Sequence, residues 1–182
     1  MMATTHAFVG LALAAMVAAA APEFAVPVAI AGIAGGIFPD LDVFADHRKT
    51  LHFPVYYGLA AAVTFPLAAL LSNPLTVGIT VFLAAAAVHA VSDTIGAGPE
   101  LQPWAVESDR AVYVHAIGRW ARPRRWIRYD GAPEDFLLGA VFAVPGLLVF
   151  GSPIRELVAV GLAISLVYAL FRKPIGRRLA PR

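Results

Sequence analysis

The sequence predicts an all-α polytopic membrane protein, with about six transmembrane helices arranged as three hairpins. Three observations carry this. Only 14% of the 182 residues are charged while 59% are hydrophobic, against roughly 25% charged in soluble domains. The apolar residues gather into six uninterrupted runs rather than amphipathic stripes. Short and long polar segments alternate between those runs. The same composition excludes a disordered chain, which needs few apolar residues and a high net charge. No cysteine is present, which removes disulfides, thiolate nucleophiles and Cys-type metal sites. A net charge of +2 gives no reason to expect nucleic acid.

The runs fall at Ala7–Ala21, Phe24–Phe38, Phe53–Leu71, Leu75–Ser92, Phe136–Phe150 and Ile154–Phe171. A bilayer core of roughly 30 Å takes about 20 helical residues, with about 17–25 tolerated. The third, fourth and sixth runs meet that length. The first, second and fifth are shorter and need flanking residues or a thinned bilayer; four full spans plus a shallow hairpin is the fallback. Turns at Pro22-Glu23, Ser72-Asn73-Pro74 and Gly151-Ser152-Pro153 join the runs in pairs, because proline stops a helix where a connection is needed. A cleaved leader over the first 21 residues is a rival reading, but no Lys or Arg precedes Arg48, and such leaders begin with basic residues. Gly32 and Gly36 form a small-xxx-small pair in the second run, which suits close approach of another helix.

An even number of spans puts both termini and the long polar segments on one side. Thirteen of the 14 Lys and Arg lie there, with only Arg155 opposite. The positive-inside rule makes that side cytoplasmic, and the expected location is the cell's inner membrane. The chain forms a single integral-membrane unit over 1–182: chemistry-bearing motifs within 1–104, an Arg- and Trp-rich loop over 94–135, a C-terminal hairpin at 136–171 and a basic tail at 172–182. In the loop, Ala111–Ile117 and Arg125–Tyr129 could pair as a short β-hairpin before the Asp130-Gly131 turn, or form a short helix. Its mixture of Trp and Arg suits lipid headgroups better than nucleic acid, so membrane lipids are the expected partners.

The informative residues collect at the cytoplasmic ends of the spans. His6 opens the first; Asp40 and Asp42 follow the second; His47 and His52 precede the third; His89 and Asp93 close the fourth. His115 lies in the long loop. His89 and Asp93, four apart on a helix, project from one face and make a platform for Zn²⁺ or a similar ion; a plain His–Asp hydrogen bond is the alternative. Asp40 and Asp42 suit a hard or borderline cation when other ligands converge. His47 and His52 could supply one ligand and one supporting or acid–base group.

The first hundred residues resemble the YdjM-type family of membrane-bound, metal-dependent hydrolase-like proteins, also described as LexA-binding and inner-membrane-associated. The resemblance is carried by His6, by Gly35-Gly36-Ile37-Phe38-Pro39-Asp40-Leu41-Asp42, by His47-Arg48-Lys49-Thr50-Leu51-His52, and by His89, Asp93, Thr94, Gly96 and Pro103-Trp104. It implies a multi-helix membrane protein with a metal-dependent, hydrolase-like centre. A looser similarity to zinc-dependent phospholipase C and P1-type nucleases favours phosphoester chemistry.

Taken together, these readings lead to a membrane hydrolase using one to three divalent ions, zinc foremost. The expected ligands are His6, Asp40, Asp42, His52, His89 and Asp93. His47 or Asp42 serves as general base, while Arg48 and Lys49 hold an anionic headgroup. The substrate is a phosphoester or lipid reached from the bilayer. A metal carrier or sensor, or a structural membrane protein, is the alternative.

Overall fold

In the computed structural model, which describes residues 1–179, the chain forms six α-helices paired as three hairpins. They are α1 (Ala3–Ala20), α2 (Ala25–Ile37), α3 (Tyr56–Leu71), α4 (Pro74–Ser92), α5 (Pro133–Val149) and α6 (Ser152–Leu179). The all-α membrane-type fold expected from the sequence is therefore present. Four stretches are long and apolar enough to cross a membrane: Ala3–Ala20, Pro22–Phe44, Pro74–Ile95 and Ser152–Leu179. α3 and α5 are shorter, at 16 and 17 residues.

Local chemistry explains where the elements depart from the apolar runs. α3 starts at Tyr56 rather than Phe53, because Pro54 disfavours helical backbone at the residue before it and His52 is held by other groups. The second run does not stop at Phe38. A 3-10 segment, Phe38–Phe44, continues it, with Pro39 in its first turn where the missing N–H costs nothing. α6 continues through Pro174 to Leu179, so most of the expected basic tail is helix; residues 180–182 of that tail lie outside the described residues.

α1 is the central helix, packed on α2, α4, α5 and α6. Its partners touch it through glycine. A Cβ on Gly32 would overlap the Gly10 carbonyl, one on Gly36 the His6 carbonyl, and one on Gly35 the Phe82 carbonyl of α4. The Gly32 and Gly36 pair thus brings α2 onto α1, as the spacing predicts, and Gly35 adds α4. The core between them consists of Phe8, Leu11, Val28, Val81, Phe150 and Val158 with interleaved alanines. Leu59, Val63, Leu70, Leu157, Val160 and Leu170 point outward from α3 and α6. Apolar surface on this scale belongs in lipid, not water.

The long loop differs from its expected pairing. β1 (Tyr113–Val114) and β2 (Arg119–Trp120) form a two-stranded antiparallel hairpin with Tyr113 opposite Trp120. A 3-10 turn, His115–Ile117, and left-handed Gly118 (φ +63°) close it. Local closure across a glycine turn orders fewer residues than pairing with Arg125–Tyr129 would. That second segment instead lies against the end of α4, with the N–H groups of Arg124, Trp126 and Arg125 donating to the carbonyls of Thr94, Ile95 and Gly96.

Candidate metal centre

Three hairpins with their loops on one side bring the start of α1, the end of α2, the approach to α3 and the end of α4 to one level. There, one ligand atom each from Asp40, His52, His89 and Asp93 lies within 4.8 Å of all the others. His52, His89 and Asp93 are fully buried, while the Asp40 side chain is one-fifth exposed.

The imidazoles are oriented by groups outside this set. His89 Nδ1–H donates to the Gly36 carbonyl at 2.6 Å, the same carbonyl-rich contact that the helix-packing glycines create. His52 Nδ1–H donates to Asp42 Oδ2 at 2.9 Å. Each ring therefore turns its Nε2 to the centre. His52 Nε2 is 3.3 Å from Asp93 Oδ2, and His89 Nε2 is 3.4 Å from Asp40 Oδ1 and 3.7 Å from Asp93 Oδ2. His89 Nε2 is buried without a hydrogen-bond partner. Lone pairs on nitrogen facing ionised carboxylates repel unless a proton or a cation lies between them. Ligands at about 2.1 Å around a tetrahedral ion stand roughly 3.4 Å apart, close to the separations present. The four residues could hold one divalent ion.

Asp42 sits behind the cluster. Both its oxygens are occupied, by His47 Nδ1 at 2.8 Å, by His52 Nδ1, and by the backbone N–H groups of Arg48, Lys49 and Leu51 at 3.2 Å each. Its place is to orient His52, as carboxylates behind metal-bound histidines do, rather than to ligate or abstract a proton. His6 is likewise adjacent but outside the four. Its Nε2 contacts the other oxygen of Asp93 at 3.0 Å, and its ring stacks on His89 with centroids 3.6 Å apart. His47 is the solvent-facing end of the Asp42 chain, about a third exposed. His115 packs against Phe53 and Tyr113 and is not part of the cluster.

Arg48 and Lys49 part company. Arg48 turns inward: its side chain is buried, Nε lies 3.3 Å from Asp93 Oδ2, and its guanidinium donates to the Ala97 carbonyl. The backbone adopts φ +62° there, a left-handed conformation costly for a non-glycine residue and held in place by Asp42 accepting the Arg48 N–H. Lys49 turns outward to Asp46 at 3.2 Å and lies over the Tyr113 ring. His52 lies outside the membrane-spanning segments. Burial opposes charge on it, but its bonds to Asp42 and Asp93 outweigh burial and draw its pKa upward.

Several contributors carry no sequence signal of their own. The Gly36 and Ala97 carbonyls are backbone atoms. The Met1 amine contacts Asp93 Oδ1 at 2.9 Å. Asp135 reads as an ordinary acid at the start of a helix. It is in fact fully buried, accepting from the Met2 N–H and the Thr5 hydroxyl at 2.8 Å each and so tying α5 to α1.

No family model, no curated protein and no solved structure matches this chain. The functional assignment rests on the geometry.

Proposed function

We propose that this chain is a membrane-embedded, metal-dependent hydrolase that acts on a phosphoester or lipid-type substrate at the cytoplasmic face. The observation that carries the reading is the pair of buried Nε2 atoms, on His52 and His89, aimed at Asp40 and Asp93 with their Nδ1 protons committed elsewhere. Zinc suits a mixed imidazole and carboxylate set, and the hydrolase-like family the motifs resemble points the same way. Three closed ligands beside one part-exposed ligand, Asp40, leave a side of the centre open, as catalytic rather than structural sites do. A bound ion would lower the pKa of a coordinated water toward neutrality and polarise a phosphoryl oxygen.

The chain's own residues divide the remaining work. Asp42 fixes the His52 tautomer, Arg48 balances the charge of Asp93, and His47 is the exposed base nearest the open side. The test is elemental analysis of purified protein, wild type against His89→Ala and Asp93→Ala, together with turnover of a panel of phosphoesters. Metal near one equivalent in wild type, lost in both variants along with turnover, is expected. Wild-type protein devoid of metal overturns the reading. Metal without turnover on any substrate transfers it to a carrier or sensor.

A further inference from the structure

The open side of the metal centre leads into a cavity of about 530 Å³. Asp40, His47 and Arg48 form its inner end, residues 98–101 one wall, and Asp130, Tyr168 and Arg172 its outer end. A second cavity of about 660 Å³ runs along the lipid-facing side of α6, between Ala163 and Gly176, and its lining is almost wholly apolar. Leu101, Ile164, Tyr168 and Arg172 line both. The two adjoin at these four side chains, and Asp40, His47 and Arg48 line only the first. At the neck, Arg172 forms a two-pronged ion pair with Asp130 at 2.6 and 3.0 Å, and the Tyr168 hydroxyl joins it.

Polarity that changes along a single cleft selects an occupant whose own polarity changes the same way. A packed helix or a second copy of the chain could cover the α6 groove but has nothing to place at the charged end formed by Asp40, His47 and Arg48. A membrane lipid has both parts. The charges set the sign of its head. Asp130 is matched by Arg172, and Glu100 is faced by Arg125 at 3.9 Å. Asp93 already faces Arg48, so a divalent ion between Asp40 and Asp93 would leave this end of the cavity net positive.

We propose that the two cavities form one cleft that admits one lipid with an anionic phosphate head from the side, its head at Asp40 and Arg48 and a hydrocarbon chain along α6. This rests on the metal-centre reading for the position of the head, and it narrows the substrate class to membrane phospholipids of the phosphatidic acid type. Ala163 and Gly176 line the groove with little side chain, and Gly176 lets Trp104 and Arg172 pack directly on α6.

The absence of cysteine makes a direct test possible. A bimane label is placed at Val167→Cys in the groove or, as reference, at Leu59→Cys. The reference is equally exposed (58% against 56%) and lies at the site-side end of α3. Each labelled protein, as purified, is set in phosphatidylcholine nanodiscs containing chain-brominated phosphatidic acid or chain-brominated phosphatidylcholine. The expected result is quenching at Val167→Cys by brominated phosphatidic acid at a mole fraction at least about fivefold lower than at Leu59→Cys. Brominated phosphatidylcholine shows no such difference, and Ala163→Phe, which fills a lipid-facing groove without touching the core, abolishes it. Equal quenching at the two positions overturns the proposal, as does a Val167→Cys label shielded from both lipids in a cross-linkable dimer. Failure of the metal centre shows separately, as absence of metal in elemental analysis of the same preparation.

Discussion

The Nδ1 atom of His89 lies 2.6 Å from the carbonyl oxygen of Gly36, and this one hydrogen bond fixes what the other ring nitrogen can do. With Nδ1 donating to Gly36, Nε2 is the nitrogen left to face Asp40 and Asp93, buried and without a hydrogen-bond partner. A helix-packing glycine and a candidate metal ligand are thus parts of one arrangement.

Replacing Gly36 by alanine tests that coupling. The added methyl group would overlap the His6 carbonyl, so the helices must separate, at a cost of about 1–3 kcal/mol for overpacking. The expected outcome is a lower melting temperature together with weaker metal retention. A destabilised protein that still holds metal with wild-type affinity would show that the His89 orientation does not depend on this contact.

Asp42 orients His52 without belonging to the cluster. Asp42→Asn keeps the shape and removes the charge that fixes the tautomer, and the expected cost is about 10–100-fold in metal affinity. Asp93→Ala, which removes a direct ligand and the partner of Arg48, should abolish binding altogether. Titration of each variant with zinc against a competing chelator separates a graded loss from a complete one. Equal affinities for Asp42→Asn and wild type would remove Asp42 from the supporting role.

His52 gives a pH dependence of known sign. In the metal-free protein its folded pKa lies above the ordinary 6.5 because Asp42 and Asp93 outweigh burial. Its contribution to stability is therefore fully present below pH 6.5 and lost as pH rises through the folded value. Metal binding needs the same nitrogen without its proton, so affinity strengthens as pH rises across that window. Thermal unfolding of EDTA-treated protein and zinc affinity, both followed from pH 6 upward, should move in opposite directions. Parallel trends would contradict this placement of His52.

Chelation should also lower stability directly. A ligand held at a hundred times its dissociation constant stabilises the native state by about 2.7 kcal/mol. Treatment with EDTA should lower the melting temperature of wild type and leave His89→Ala unchanged. An EDTA-insensitive wild type would argue against a resident ion.

The sequence carried much of this molecule because each feature lay in one short stretch. Six apolar runs are visible by eye, and the hairpin turns are marked by Pro22, Pro74 and Pro153. The His89–Asp93 pair follows from helical spacing alone. What was not legible involved choices between neighbours. Asp40 and Asp42 differ by two positions, and only the 3-10 continuation of α2 sends one toward the centre and the other behind it. Arg48 and Lys49 are adjacent cations, sent opposite ways by the left-handed backbone at Arg48 itself. The Tyr113–Trp120 pairing depended on Gly118 reversing the chain, which competed with an equally β-like segment further on.

All four candidate ligands come from the first 93 residues, on helices that pack through backbone contacts of Gly10, Gly32, Gly35 and Gly36. Synthesis proceeds from the N-terminus, and early segments can fold before later ones emerge. The four candidate ligands can therefore come together while α5 and α6 are still being made. The last hairpin then packs onto α1, pinned through Asp135.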